Sequence, residues 1–96
     1  MRLRDRIPEF RDAIRLAASE NGAHDVRVFG SVARGEERDD SDVDFLVALE
    51  PGRTLFDLAR LELRLERLLG RPVDVVTEAG LREPVRAAAL FEAIGV

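Results

Sequence analysis

The chain lacks cysteine altogether, has a single histidine, His24, and contains no long apolar run. The absence of cysteine excludes disulfides and thiolate metal sites and favours a reducing compartment, which predicts a cytoplasmic protein. A metal site built on imidazole ligands is not expected from one histidine. A membrane-spanning helix needs about 18 consecutive apolar residues, and residues 1–6 lead into an amphipathic segment rather than the apolar segment of a signal peptide. No membrane association is therefore expected.

Lysine is also absent, so all 15 basic residues are arginine, and 19 acidic residues give a net charge of -4. Non-specific binding to nucleic acid depends on neutralising many phosphates with basic side chains. The acidic balance therefore argues against direct binding to nucleic acid. Apolar residues make up 46% of the chain, and 96 residues suffice for one hydrophobic core, which predicts a single folded domain over residues 1–96.

Apolar periodicity predicts alternating helices and strands. The predicted elements are a helix over 3–18, a strand over 26–29, a helical turn over 32–34, a strand over 42–49, a helix over 54–69, a strand over 73–76 and a helix over 81–93. This order predicts an α/β fold in which helices pack on one face of a short mixed sheet. The other face would then be open to a ligand.

Gly30 and Ser31 follow the first predicted strand and precede a short helical turn closed by Gly35. Such a turn presents backbone N–H groups and a hydroxyl to anionic oxygens. Arg34 in the same turn either contacts phosphate or pairs with a carboxylate of the loop over residues 36–40. The same residue types also occur in ordinary strand-to-helix turns, so the phosphate interpretation depends on the aspartates that follow.

Asp42 and Asp44 lie two residues apart in the second predicted strand and therefore point to the same face. Asp74 interrupts the apolar third strand, where an unpaired carboxylate is costly. Three converging carboxylates repel one another unless a divalent cation neutralises them, and magnesium prefers oxygen ligands together with substrate phosphates. The three aspartates are thus predicted metal ligands, and the implied reaction is metal-assisted phosphoryl or nucleotidyl transfer.

The helix predicted over 54–69 has two apolar sides. One side, which includes Leu58, Leu61 and Leu65, has the spacing of a core stripe. Phe56 and Leu63 lie on the other side. That second side is either covered by a neighbouring helix or is a patch for a partner chain.

Taken together, Gly30-Ser31, Asp42-x-Asp44 and Asp74 resemble the signature of the nucleotidyltransferase superfamily that has the polymerase-β-like fold. The strings Gly-Ser-x-Ala-Arg-Gly and Ser-Asp-x-Asp-Phe-Leu-Val, together with the length of the chain, are similar to the minimal nucleotidyltransferases. Members of that family usually serve as antitoxins of HEPN-domain ribonucleases. The resemblance covers nearly the whole chain, and the combined motif is specific whereas each part alone is weak.

The resemblance implies a role for each matching residue. Gly30 and Ser31 would hold the β and γ phosphates of ATP, and Asp42 and Asp44 would bind two magnesium ions. Asp74 would complete the metal site near the attacking hydroxyl and help to remove its proton. AMP would pass to a hydroxyl, expected to be that of a tyrosine, on a HEPN toxin with which the chain forms a hetero-oligomer.

Two other functions stay open from the sequence. The chain could be a non-catalytic antitoxin that neutralises its toxin by binding, or a nucleotidyltransferase subunit that acts on RNA or a small molecule. Larger relatives hold a small-molecule acceptor with a second, helical domain, which this sequence lacks, and this favours an acceptor on another protein. Three clustered carboxylates favour catalysis over simple occlusion, which does not require them.

Overall fold

The structure is a computed structural model that describes residues 2–96. Helices and strands alternate along most of this part of the chain. The α-helices are α1 (Leu3–Arg6), α2 (Arg11–Glu20), α3 (Gly30–Arg34), α4 (Leu55–Leu69) and α5 (Val85–Glu92); the strands are β1 (Ala23–Phe29), β2 (Val43–Leu49), β3 (Val73–Thr77) and β4 (Ile94–Gly95); and 3₁₀ turns cover Ile7–Phe10 and Glu78–Gly80.

The four strands form one mixed sheet in the order β3-β2-β1-β4. β2 pairs antiparallel with β1 and parallel with β3, and β4 pairs antiparallel with the other edge of β1. A parallel pair requires a crossover connection, and α4 supplies it between β2 and β3. This mixed sheet with packed helices confirms the predicted α/β fold class.

The main core lies between the sheet and helices α2 and α4. β2 contributes Val43, Phe45 and Val47, none of which is more than 3% exposed. Ile14 of α2 and Leu61 of α4 are fully buried in the same cluster. Since successive strand residues point to opposite faces of a sheet, the aspartate side of β2 is turned away from this core, as predicted.

The opposite face of the sheet is less open than the strand pattern predicted. Leu46 lies on the same face as Asp44, yet it is fully buried outside the main core. The 3₁₀ turn at Glu78–Gly80 contacts β2, and α5 contacts β1 and α3. The C-terminal part of the chain therefore covers part of this face, whereas Asp44 itself is half-buried.

The N-terminal helix is divided rather than continuous over 3–18. A 3₁₀ turn with Pro8 in its first turn separates α1 from α2. Proline lacks a backbone N–H, and its ring clashes with the carbonyl four residues earlier, so it interrupts an α-helix. One apolar side runs through both helices and the turn, because Leu3, Ile7 and Ile14 are all buried.

α4 matches the helix predicted over 54–69 and is capped at both ends. The Thr54 hydroxyl accepts the N–H of Phe56 at 3.2 Å, and the Thr54 N–H donates to Asp57 Oδ2 at 2.8 Å, which forms a capping box. Gly70 ends the helix with a φ of 68°. None of the helices described here, α4 being the longest, combines the length and apolar character that crossing a bilayer requires.

The second apolar side of α4 is exposed to solvent. Phe56 is 76% exposed and Leu63 is 54% exposed. Cover by a neighbouring helix, one of the two interpretations left open by the sequence, is therefore wrong. The core stripe on the other side of the helix is confirmed, since Leu58, Leu61 and Leu65 are buried.

The last helix starts later than the predicted range of 81–93. α5 begins at Val85, directly after Pro84; the residue before a proline is driven away from helical geometry, which delays the start. Val85 and Phe91 are exposed, and Ala89 is the buried residue of the helix. The short strand β4 was not predicted, since two residues are too few to show a period.

Candidate active site

The turn between β1 and α3 brings Gly30 against Asp44. Gly30 has a φ of 75°, a left-handed conformation that favours glycine. A Cβ atom at this position would lie 2.4 Å from Asp44 Oδ2, so any side chain here would have to displace the Asp44 carboxylate. Ser31 follows as the second residue of α3, and Gly35 closes the turn at a φ of 70°. The glycine-serine turn and the aspartate strand are therefore in direct contact.

Pairing of the strands places two of the predicted aspartates side by side. Asp44 is the register partner of Phe29 in β1 and of Asp74 in β3. Neighbouring strands lie about 4.8 Å apart, and register partners share a face. Asp42 precedes Asp44 by two residues just before β2 begins. The structure thus brings Asp42, Asp44 and Asp74 to the same end of one face.

The three aspartates differ in exposure. Asp42 and Asp74 are exposed, whereas Asp44 is half-buried. The expectation that Asp74 carries a burial cost within an apolar strand is wrong, because its neighbours Val73 and Val75 point into the core and Asp74 points to solvent. The burial cost falls on Asp44 instead.

The pKa of Asp44 is raised from 3.8 to about 6. Burial is the largest cause, followed by the negative charges of Asp74 and Asp42. Glu92 adds a smaller effect in the same direction, and the positive charge of Arg34 lowers the pKa. Burial and like charges both disfavour the ionised form of a carboxylate. Asp44 is therefore a carboxylate whose charge the surrounding protein does not balance.

The donor set suits magnesium, although it is not assembled as a cage. Within residues 2–96, no three His, Cys, Asp or Glu side chains form a group ready to hold a metal ion. The oxygen donors of Asp42, Asp44 and Asp74 share one face, and their mutual repulsion is what a divalent cation would relieve. These residues fit the ion by charge and donor type, and their role as ligands stays a prediction.

Arg34 pairs within the protein. Its Nη1 donates to Glu92 Oε2 at 2.8 Å, and its Nε donates to Glu36 Oε2 at 3.4 Å. Pairing with a loop carboxylate was one of the two sequence interpretations. The closer partner, however, is Glu92 at the end of α5.

Glu92 is the residue of this region that sequence reasoning missed. Its Oε1 accepts the backbone N–H of Gly30 at 2.8 Å, and its side chain is 20% exposed. Helical spacing gave no reason to single it out. The available signal was a carboxylate directly after the apolar run of residues 87–91.

The loop over residues 36–41 is held in place by hydrogen bonds. The Ser41 hydroxyl accepts the N–H of Arg38 at 2.8 Å, a local contact within the loop. Glu37 is buried, and the carbonyl oxygen of its backbone accepts a hydrogen bond from Arg2 at 3.1 Å. These contacts fix the segment that leads into Asp42.

The chain belongs to the nucleotidyltransferase family, since the nucleotidyltransferase domain description matches residues 11–96. Protein adenylyltransferase MntA of Thermococcus cleftensis is 41% identical over 75 residues, which cover 78% of this chain and 76% of that protein. A solved candidate minimal nucleotidyltransferase is 53% identical, covers 97% of this chain and 95% of its own, and has a TM-score of 0.85. The chain is therefore an enzyme of the nucleotidyltransferase class.

A more distant structure shares the fold alone. It is a toxin–antitoxin complex with AMP-PNP, 19% identical, with a TM-score of 0.74 over 88% of this chain and 69% of that chain. At this identity the likeness concerns the arrangement of helices and strands. The same arrangement is thus found in a structure described with AMP-PNP.

Proposed function

We propose that this chain transfers AMP from ATP to a hydroxyl group of a partner protein in a magnesium-dependent reaction, and that it acts as a single domain over residues 1–96. The observation that carries the proposal is Asp44, half-buried between Gly30 and Asp74 with its pKa raised to about 6. Perturbed carboxylates in such surroundings are typical of functional sites. The partner proposed is a HEPN ribonuclease toxin, with a tyrosine as the acceptor.

The relatives support this choice of acceptor. The Thermococcus cleftensis protein is named as a protein adenylyltransferase, and the more distant structure is described as a toxin–antitoxin complex with a non-hydrolysable ATP analogue. A protein acceptor and ATP as the donor are the simplest extension of those descriptions to this chain. The HEPN partner and the tyrosine hydroxyl come from the resemblance to minimal nucleotidyltransferases.

The residues divide the work by position. Ser31 would hold phosphate oxygens of ATP through its hydroxyl, next to the close contact between Gly30 and Asp44. The acceptor oxygen attacks the α-phosphorus, the bond to the bridging oxygen breaks, and pyrophosphate leaves. Asp74 is exposed on the aspartate face and would receive the proton of the acceptor hydroxyl.

Asp42, Asp44 and Asp74 are the residues that would hold magnesium. When bound, the ions neutralise the phosphates and stabilise charge on the attacking and leaving oxygens. The three side chains themselves keep acidic oxygens on one face beside the glycine-serine turn. Removal of any one of them lowers the negative charge that attracts the cation.

Intact-mass measurement of the partner protein tests the proposal. Partner treated with this chain, ATP and magnesium should gain about 329 Da for each AMP, the mass of a nucleoside monophosphate less water. It should stay inactive after this chain has been removed. Asp74→Asn should stop the mass gain, whereas Asp12→Asn, the same chemical change at an exposed position of α2, should leave it unchanged.

Neutralisation by binding is the second candidate, favoured by the exposed Phe56 and Leu63 of α4. It predicts inhibition without ATP, no mass change and recovery of the toxin on separation. If the Asp74→Asn protein protects cells from the toxin as well as the parent does, the catalytic account of neutralisation is wrong. Label transferred instead to RNA or to a small molecule would assign a different acceptor.

A further inference from the structure

The carboxylate of Glu92 bridges two residues of the glycine-serine turn from the other end of the chain. Oε1 accepts the Gly30 N–H at 2.8 Å, and Oε2 accepts Arg34 Nη1 at 2.8 Å. The partners are separated from Glu92 by 62 and 58 residues in sequence. Both hydrogen bonds involve a charged group, the stronger kind of hydrogen bond. Two such bonds on one side chain fix the turn relative to α5.

We propose that Glu92 is a positioning residue of the nucleotide site, which holds Gly30 and Arg34 so that Ser31 and Asp44 face the triphosphate together. This inference rests on the proposed function. Gly30 is conformationally permissive, and its backbone already lies against Asp44 Oδ2. A small rotation of the turn would therefore move the serine relative to the aspartate, and the carboxylate of Glu92 opposes that rotation.

The position of Glu92 in the fold anchors its backbone, which favours a supporting role for its side chain. β4 follows two residues later and pairs with β1 through Val28 and Ile94. The Val96 N–H donates to the Val26 carbonyl at 3.0 Å, and Arg15 Nη2 donates to the Val96 carbonyl at 2.8 Å. These contacts fix the backbone next to Glu92, so displacement of its carboxylate by phosphate would have to break the hydrogen bonds to Gly30 and Arg34.

The hydrogen bonds to Glu92 change the roles predicted for Gly30 and Arg34 in binding ATP. The Gly30 N–H and the Arg34 guanidinium are engaged by Glu92, so their contribution to ATP binding is to set the shape of the turn. Ser31 is left as the residue of the turn that meets the phosphates directly. The opposite possibility is that Glu92 occupies a phosphate position and must leave before ATP binds.

Variants at Glu92 and Glu36 separate these possibilities. Glu36→Gln is a matched control, because Glu36 also pairs with Arg34. Unlike Glu92, it accepts no hydrogen bond from Gly30 in the part of the chain that the structure describes. Binding of a fluorescent ATP analogue with magnesium should weaken about threefold in Glu92→Gln and about tenfold or more in Glu92→Ala, since the amide keeps one acceptor oxygen. Glu36→Gln should stay within about twofold of the parent.

A second measurement reports on the contact itself and needs no nucleotide. The Gly30 amide resonance in a ¹H–¹⁵N spectrum should shift clearly in both Glu92 variants and remain in place in Glu36→Gln. All binding constants are measured below the melting transition of each variant. If Glu92→Ala does not fold, Glu92→Gln supplies both measurements.

Unchanged or tighter nucleotide binding by the Glu92 variants would overturn the proposal and identify Glu92 as an occluding group. Equal weakening by Glu36→Gln would also overturn it, because net charge would then be the cause. The proposed function fails separately: a parent protein that binds ATP but never modifies its partner contradicts the transfer reaction and leaves the ranking of the Glu92 variants intact.

Discussion

Asp57 and Asp44 are two carboxylates withdrawn from solvent whose surroundings are opposite in character. Asp57 is 6% exposed and accepts the Thr54 N–H at 2.8 Å, Arg60 Nη2 at 2.5 Å and Arg53 Nη1 at 3.3 Å. Its pKa is lowered, first by the hydrogen bond from Thr54 and then by the two arginines, against the effect of burial. The pKa of Asp44 is raised to about 6 by burial and by neighbouring carboxylates.

The opposite pKa shifts of the two carboxylates distinguish a structural role for Asp57 from a functional role for Asp44. The charge of Asp57 is balanced by hydrogen bonds from Thr54, Arg53 and Arg60 near the start of α4, so the folded protein favours its ionised form. The charge of Asp44 is opposed by Asp74 and Asp42, so folding disfavours it. A protein retains such a carboxylate where a ligand supplies the missing positive charge.

The largest effect expected is on catalysis. Asp44→Asn removes a charged oxygen from the predicted metal site and should reduce AMP transfer by about 10²–10³-fold or more, whereas Asp57→Asn should retain the transfer activity of its folded fraction. Labelled ATP, magnesium and the partner protein provide the assay, and chelation of magnesium should reproduce the loss. Near-normal labelling by Asp44→Asn would show that Asp44 is not a magnesium ligand.

Ser31→Ala should have the next largest effect. Loss of one hydrogen bond to a charged phosphate costs about 1.5–3 kcal/mol, or roughly one to two decades in kcat/KM for ATP. The melting temperature should change little, because the hydroxyl is expected to serve the ligand. Steady-state kinetics against ATP concentration measure the effect. A loss as complete as that of Asp44→Asn would show that the hydroxyl orders the whole turn.

Asp44→Asn should also stabilise the protein, with a dependence on pH that follows from the raised pKa. Below about pH 4 the carboxyl is protonated in both states, so parent and variant differ little. Between about pH 4 and 6 the unfolded chain releases the proton first, and the parent loses stability as pH rises. Above pH 6 the full cost remains, about 1–2 kcal/mol after allowance for partial exposure.

Thermal unfolding of both proteins at pH 4, 6 and 8 measures this difference. Magnesium should raise the melting temperature of the parent more than that of Asp44→Asn at pH 8. Asp57→Asn should change stability in the opposite direction from Asp44→Asn and lower the melting temperature at the same pH. An Asp44→Asn protein less stable than the parent at pH 8 would remove the contrast between the two carboxylates.

Thr54→Ala should produce the smallest change. Loss of the N-cap hydroxyl of α4 costs about 1 kcal/mol of folding stability. Transfer activity per folded molecule should be unaffected, because Thr54 serves the helix and not the aspartate face. Urea denaturation and the labelling assay together check both statements. A fall in transfer comparable to that of Ser31→Ala would mean that α4 and the site are coupled.

Local sequence signals predicted most of the fold because they depend on short spacings. Strand alternation placed Asp44 on the face turned away from the core, and the helix predicted over 54–69 is observed as α4 (Leu55–Leu69). Two errors in the bounds of helices arose where a proline changed the backbone within an otherwise helical pattern. Pro8 separates α1 from α2, and Pro84 delays α5.

The sequence by itself determined the α/β class, the turn that contains Gly30 and the strand face shared by Asp42 and Asp44, since short spacings fix these features. The tertiary structure decided which of the aspartates is withdrawn from solvent. Asp44 is half-buried beside Asp74, whereas Asp74 itself is exposed. It also brought Glu92 to Gly30 across 62 residues. Burial and electrostatics depend on groups distant in the chain, and no short-range pattern encodes which of them come together.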